Sequence, residues 1–179
     1  MPDRSAAARS SVMAAARDLT GSLLASVTYY GFPAGDEDWD HGRYHDATMG
    51  VELACPDGRR FVACWGDAFG HFGLELLAGR AGDTFRNSPQ SRDFSAHPWW
   101  ARLARCAVSA QIIWRTGYVD RAEPAPVAIT LRCGQHVVWV AAAERADAAA
   151  SPMSRGGFLL GMDTVLVTAD QLFARSIGL

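Results

Sequence analysis

The side chains best able to bind a metal ion or a partner are concentrated in one polar stretch, residues 36–46. The candidate binding residues there are Asp36, Asp38, Trp39, Asp40, His41, Tyr44 and His45. Its alternating acids match the first half of an EF-hand calcium loop, but His41 replaces the required turn glycine and Ala47 replaces the closing glutamate. The calcium motif therefore fails.

Zinc is the other metal that this stretch could hold. His41 and His45 have zinc-like spacing only on a helix, and Gly42 with the surrounding loop composition argues against a helix there. We therefore expect a solvated acidic loop, with Trp39 and Tyr44 packed onto a sheet, and neither a metal site nor a cofactor. Metal binding by the loop remains the open alternative.

A second candidate is the glycine-rich stretch from Trp65 to Gly73, whose sequence is WGDAFGHFG. Asp67 and His71 could form an acid–base pair if the loop folds back, and its aromatic residues would suit a flat ligand. The alternative is a wide hairpin connection plugged by aromatic side chains. We favour that alternative because no nucleophile or oxyanion glycine pattern accompanies the pair.

A third candidate is the segment His97-Pro98-Trp99-Trp100, followed by two arginines. Adjacent helical residues point about 100° apart, so Trp99 and Trp100 cannot both face one core, and one of them should be partly exposed. Exposed tryptophan beside arginine is typical of an interaction hot spot or a base-stacking surface. Burial of both tryptophans between helix and sheet is the other interpretation.

Composition excludes several functions. All 17 basic residues are arginine, which rules out a Schiff-base lysine, a P-loop lysine and a Ser-Lys dyad in this chain. A net charge of −2 gives no general attraction to nucleic acid or to anionic lipid. No phosphate-binding, hydrolase-elbow or zinc-finger motif is present. We expect a cytoplasmic protein with no nucleic-acid or membrane partner, and four reduced cysteines.

Periodicity and turn signals predict the helices and strands around these candidate residues. Residues 5–19 carry an apolar helical stripe, and residues 23–32 are typical of a strand. Pro56-Asp57-Gly58 predicts a hairpin over 49–65, with Leu53 opposite Phe61 on the core face and a more polar second face. Residues 127–133 and 137–143 predict a second hairpin. Thr168 and Gln171 predict a capping box for a last helix.

These elements predict one α+β domain over residues 1–179, mainly antiparallel sheet with an N-terminal and a C-terminal helix. The two hairpins align without a gap at an offset of 78, as Leu53 on Leu131 illustrates. An internal repeat of an α-β-β-β-β unit, over residues 5–77 and 97–168, is therefore a hypothesis. The alternative is that any two antiparallel hairpins look somewhat alike.

The sequence favours a non-catalytic, protein-binding or adaptor role, such as a bacterial toxin-immunity protein or a complex-assembly partner. Its expected partner is another protein or a second copy of the chain. The competing hypothesis is a small-molecule or metal-dependent enzyme, or a ligand-binding protein, that uses the 36–46 and 65–73 loops. In either case the 36–46 loop should act together with the 65–73 loop or with the Trp99-Trp100 helix.

Overall fold

The computed structural model describes residues 4–33, 38–69, 72–86, 89–116, 123–146 and 154–179. The chain is an α+β protein with two antiparallel sheets, as the sequence predicted. Its elements, in chain order, are α1 (Arg4–Leu19), β1 (Ser26–Gly31), β2 (His45–Asp46), β3 (Gly50–Ala54), β4 (Arg60–Gly66), β5 (Gly73–Ala78), α2 (Ala81–Thr84), β6 (Gln90–Asp93), α3 (Pro98–Leu103), β7 (Ser109–Arg115), β8 (Ala125–Cys133), β9 (His136–Arg145), β10 (Phe158–Thr168) and α4 (Gln171–Ser176).

Each half of the chain builds a four-stranded meander, and each sheet gains a fifth strand at one edge. The first sheet has the order β5-β4-β3-β1-β6, and the second has the order β2-β10-β9-β8-β7. The short strand β2 leaves its chain neighbours β1 and β3 to pair with β10, where His45 lies opposite Val167. Because of this exchange, the first half of the chain contributes to both sheets. The duplication itself stays a hypothesis.

The β3–β4 hairpin has the predicted register. Leu53 lies opposite Phe61, both side chains are buried, and Gly58 closes the turn with φ at +89°. A type I turn followed by a left-handed glycine joins two antiparallel strands without splaying them. The local turn therefore fixes which residues face the main core.

The prediction of a more polar second face on this hairpin is wrong in one respect, because that face is also covered. Val62 and Cys64 are buried there against Ala81 of α2, with Phe85 packed beside them. The carboxylate of Glu52 is nearly buried as well, and it accepts hydrogen bonds from the Ala81 backbone N–H and the Arg60 guanidinium. Helix α2, which follows β5, supplies this cover.

The main core lies between the two sheets and is closed by α1 and α3. It combines Leu53 and Phe61 of the first sheet with Ile129 and Leu131 of the second, and Leu19 of α1 packs among them. Each of these five side chains is at most 1% exposed. No helix in the described ranges is both long and apolar enough to cross a membrane.

The last helix begins two residues later than the predicted capping box. Asp170, not Thr168, is the N-cap, and its carboxylate accepts from the Phe173 backbone N–H at 2.9 Å. The Thr168 hydroxyl accepts from the Asp170 N–H and donates to the Arg43 carbonyl at 2.7 Å. An Asp is as good an N-cap as Thr, and here β10 runs one residue past Val167 before the helix can start.

The expectation of four reduced cysteines is wrong. Cys106, after α3, and Cys133, at the end of β8, form a disulfide with their Cα atoms 5.8 Å apart. Cys55 and Cys64 are free and buried. The sequence could not reveal the pair because the two cysteines are 27 residues apart and meet only when α3 packs against the β8–β9 hairpin.

Candidate functional site

Three ligand-bearing side chains converge where β2 meets the start of α3. One ligand atom from each of Asp40, His45 and His97 lies within 4.8 Å of the other two. His45 is fully buried, His97 is half-buried, and the Asp40 side chain is 53% exposed. The cluster is therefore anchored in the core at one end and open to solvent at the other.

Asp40 is positioned by a tight turn that folds the loop back on itself. Asp40 and His45 form an isolated antiparallel bridge, and the Gly42 N–H donates to the Asp40 carboxylate at 2.7 Å. Gly42 has φ at +78°, a conformation that a glycine adopts without steric cost. The turn thus brings the Asp40 carboxylate back beside the His45 ring, and Oδ1 of Asp40 lies 3.7 Å from Nε2 of His45.

His97 reaches the cluster because it is the N-cap of α3. Pro98 occupies the first helical turn, where its missing N–H has no cost, and it favours an extended conformation at His97. The His97 Nδ1 accepts a long hydrogen bond, 3.4 Å, from the Trp99 backbone N–H. The helix start therefore places this imidazole beside the other two ligands.

The His45 ring is enclosed by aromatic groups. Trp99 stacks on it, with ring centroids 4.1 Å apart and planes 14° apart, and His97 meets it edge-on at 4.4 Å. Phe94 and Tyr29 complete the enclosure at 5.1 and 5.7 Å. This packing holds the imidazole in one orientation.

Hydrogen bonding satisfies one nitrogen of His45 and leaves the other without a partner. Nδ1 lies 3.1 Å from the Tyr29 hydroxyl, which also accepts from Trp100 Nε1 at 2.7 Å. Nε2 has no hydrogen-bond partner among the described residues and is buried. Buried polar atoms in folded proteins are almost always paired, so this imidazole nitrogen, which faces the Asp40 carboxylate, has the capacity to accept a further partner.

Electrostatics keep the cluster in the protonation states that metal ligands need. Burial lowers the pKa of His45 to about 4, outweighing the opposite effect of Asp40, and burial also lowers the pKa of His97. The Gly42 N–H lowers the pKa of Asp40. At neutral pH the site therefore holds two neutral imidazoles and one carboxylate.

The spacing suits a small transition-metal ion. Tetrahedral zinc, with bonds of about 2.0–2.2 Å to nitrogen and oxygen, places neighbouring ligand atoms about 3.4 Å apart. The 3.7 Å between Asp40 Oδ1 and His45 Nε2 is close to that separation. The 4.8 Å limit on the whole cluster requires His97 to approach by an ångström or so, a change that side-chain rotation of a half-buried residue can supply.

The other residues predicted from the 36–46 stretch have separate roles. Asp38 is exposed, and Trp39 is buried against Tyr29. His41 pairs with Asp46 at 2.9 Å and is not one of the three clustered ligands. Tyr44 stacks on Phe173 of α4 and meets Phe158 of β10 edge-on, each with centroids 5.2 Å apart, so it contacts the sheet as predicted. Asp36 lies outside the described residues.

The two remaining predicted regions differ in their relation to the cluster. Trp99 and Trp100 behave as helix geometry requires: Trp100 is 1% exposed, whereas Trp99 is only partly buried and covers His45. In the 65–73 loop, Phe69 packs edge-on against Trp114 of β7. Asp67 lies in this loop, and His71 is outside the described residues. The acid–base pair, which the sequence did not favour, is therefore not tested, and the plugged hairpin connection stays the prediction.

Sequence reasoning named His97 only within the third candidate segment, not as a metal ligand, and it missed Tyr29 altogether. A histidine directly before a proline at a helix start was the available signal for His97, because that position fixes an exposed imidazole at the end of a rigid element. Nothing in the sequence marked Tyr29, which lies in a stretch that is only typical of a strand. The cluster therefore depends on packing between segments that are far apart in the chain.

Comparison with protein-family models, with curated proteins and with solved structures finds no match to this chain.

Proposed function

We propose that this protein binds one divalent transition-metal ion, such as zinc, through Asp40, His45 and His97. We propose further that the function of the protein depends on this bound metal. The observation that carries the proposal is the buried Nε2 of His45, which has no hydrogen-bond partner in the part of the chain that the structure describes and lies 3.7 Å from the Asp40 carboxylate. A metal ion between these atoms would satisfy the nitrogen and offset the negative charge of the carboxylate.

The surroundings of His45 support metal ligation. Metal-ligating histidines usually donate their second ring N–H to a neighbouring acceptor, which fixes tautomer and ring orientation. Tyr29 can serve as this acceptor, because its oxygen has two lone pairs and Trp100 uses one of them. The aromatic rings around His45 provide the apolar shell that limits water access to a metal.

Three protein ligands favour a functional metal over a structural one. Structural zinc sites are closed by four protein ligands, whereas catalytic sites keep one position for water or substrate. The exposed Asp40 carboxylate provides an entry path for both the ion and a ligand. These features favour a metal-dependent enzyme or ligand-binding protein over the adaptor, the other hypothesis from the sequence.

The direct test is a calorimetric titration of metal-free protein with zinc chloride. We expect one zinc ion per chain with a Kd in the micromolar range or below. Asp40→Asn should weaken binding at least tenfold, because the amide keeps the Gly42 hydrogen bond but loses the charge. His97→Gln should weaken it similarly, because an amide is a poor zinc ligand.

Asp38→Asn is the matched control, since it removes an exposed carboxylate from the same loop two residues away. His41→Gln tests adventitious binding at the His41–Asp46 pair. Circular dichroism checks that every variant is folded. Wild-type protein that takes up no zinc, or folded Asp40→Asn and His97→Gln variants that bind zinc as wild type does, would overturn the proposal.

The adaptor role that the sequence favoured stays a second prediction. Trp99, which is partly exposed, and Leu172, which is 73% exposed, are among the apolar side chains that a protein partner could cover. Native mass measurement of the metal-loaded and metal-free protein tests it. A dimer or a stable complex that forms regardless of metal would favour the adaptor.

A further inference from the structure

A groove of about 690 Å³, lined in part by Trp99, lies between α3, the β8–β9 hairpin and the start of α4. Its volume falls within the range of small-molecule sites in proteins. Trp99 and Arg102 line one wall, one helical turn apart on α3, while Arg132 and Trp139 line the opposite wall from the hairpin. The groove is therefore built from rigid elements.

The charge of the groove is positive although the whole chain carries −2. Arg102, Arg132 and His136 line it, and no carboxylate is among the described residues that form its lining. Within the described ranges, neither Arg102 nor Arg132 forms an ion pair or a side-chain hydrogen bond. Two guanidinium groups without carboxylate partners are thus directed to the same space.

The groove also has flat apolar walls. Trp99 and Trp139 are partly buried, and Val137 and the Val138 backbone complete the floor beside them. Arg132 and Val137 are direct cross-strand partners, as are Thr130 and Trp139, so Arg132 and Trp139 share one face of the hairpin. A ligand lying against Trp139 would therefore have a guanidinium within reach on the same face.

The disulfide fixes the two walls relative to each other. Cys106 follows α3, Cys133 precedes the β8–β9 turn, and their bond ties the helix to the hairpin beside the groove. A binding site whose walls are already in place loses less entropy when a ligand binds. The groove is accordingly preformed in the oxidised protein.

We propose that this groove binds a small organic anion, a carboxylate or phosphate attached to a flat ring. The guanidinium groups of Arg102 and Arg132 hold the anionic group, and the indoles of Trp99 and Trp139 contact the ring. Arginine suits both anions because its planar fork matches their oxygen atoms. This site does not depend on the metal proposal, since neither arginine belongs to the Asp40 cluster.

The test uses two matched ligand pairs, indole-3-acetate with indole-3-acetamide and adenosine monophosphate with adenosine. Each ligand is titrated calorimetrically into protein stripped of metal and dialysed, so that an anion cannot bind through a metal ion. We expect at least one anion to bind with a Kd of about 1 mM or tighter, and its neutral counterpart to bind at least about tenfold more weakly. The pair that responds identifies the anion as a carboxylate or a phosphate.

Arg102→Gln and Arg132→Gln should each weaken binding of that anion about tenfold or more. Arg105→Gln is the matched control, because Arg105 is an exposed arginine just after α3 that does not line the groove. The proposal is overturned if no anion binds, if an anion and its neutral counterpart bind equally, or if Arg105→Gln weakens binding as much as the groove variants do. Zinc binding plays no part in these readouts.

Discussion

The indole of Trp99 lies flat on the imidazole of His45, with ring centroids 4.1 Å apart and ring planes 14° apart. One face of this tryptophan thus covers the proposed metal ligand, while the residue also lines the arginine groove. A change in the charge of the His45 ring must alter the electrostatic environment of the indole. Trp99 is therefore a built-in reporter of events at both sites.

Zinc binding should change the tryptophan emission of the protein, and most of that change should come from Trp99. Trp99→Phe keeps an aromatic ring over His45 but removes the indole, so we expect zinc to bind with its Kd changed by less than about tenfold while more than half of the emission change is lost. The measurement is fluorescence beside calorimetry on the same samples. Trp139→Phe, which leaves the His45 contact intact, is the control. An unchanged zinc-dependent signal in Trp99→Phe would contradict the reporter role.

Tyr29→Phe should destabilise the fold by about 1–3 kcal/mol, the usual cost of leaving buried polar groups unpaired. The hydroxyl of Tyr29 pairs with both Trp100 Nε1 and His45 Nδ1, and all three groups are buried. Urea unfolding followed by circular dichroism measures the free energy. Tyr30→Phe, on the opposite face of β1, is the control and should cost little, because Tyr30 is only partly buried. Equal losses in the two variants would show that the hydroxyl bridge adds nothing.

Phe61→Ala should lower the free energy of unfolding by about 3–5 kcal/mol, because it empties a site in the core between the two sheets. Phe61 is 1% exposed and lies opposite Leu53 in the first hairpin. Leu172→Ala is the contrasting variant. Because Leu172 is 73% exposed, this substitution should lower the free energy of unfolding by well under about 1 kcal/mol. Urea titrations that give the two variants similar midpoints would be incompatible with the described packing.

Thiol titration of the unfolded, unreduced protein should find two free thiols per chain, and reduction should raise the number to four. Loss of the Cys106–Cys133 bond should cost about 2–4 kcal/mol, because it frees a loop in the unfolded chain. Adding a reductant should therefore lower the unfolding midpoint of the wild type. The reductant should not lower the unfolding midpoint of the Cys106→Ser/Cys133→Ser variant. Four free thiols per chain before reduction would exclude the bond.

The first hairpin could be predicted to the exact register because its determinants are local. Pro56, Asp57 and Gly58 specify the turn, and alternation then assigns Leu53 and Phe61 to one face. Cover of the second face by α2 could not be predicted, because a four-residue helix has too few residues for a periodic signal.

The candidate site could be predicted only in part, because its residues come from segments that are far apart in the chain. Asp40 and His45 share a polar loop that composition marks as unusual, but His97 follows 52 residues after His45. Their meeting requires β2 to pair with β10 and α3 to pack over the sheet end. Such pairings depend on tertiary packing, which periodicity within a single segment does not report.

Because β2 pairs in the second sheet, the two halves of the chain are not expected to fold as separate fragments. A break between residues 86 and 97 would leave β2 in one fragment without β10, and would leave β10 in the other fragment with an exposed edge. We therefore expect separately expressed halves to aggregate or to require each other for solubility. Asp40 and His45 lie at this crossing, so the ligand cluster comes into existence only at the stage of folding when the two sheets join.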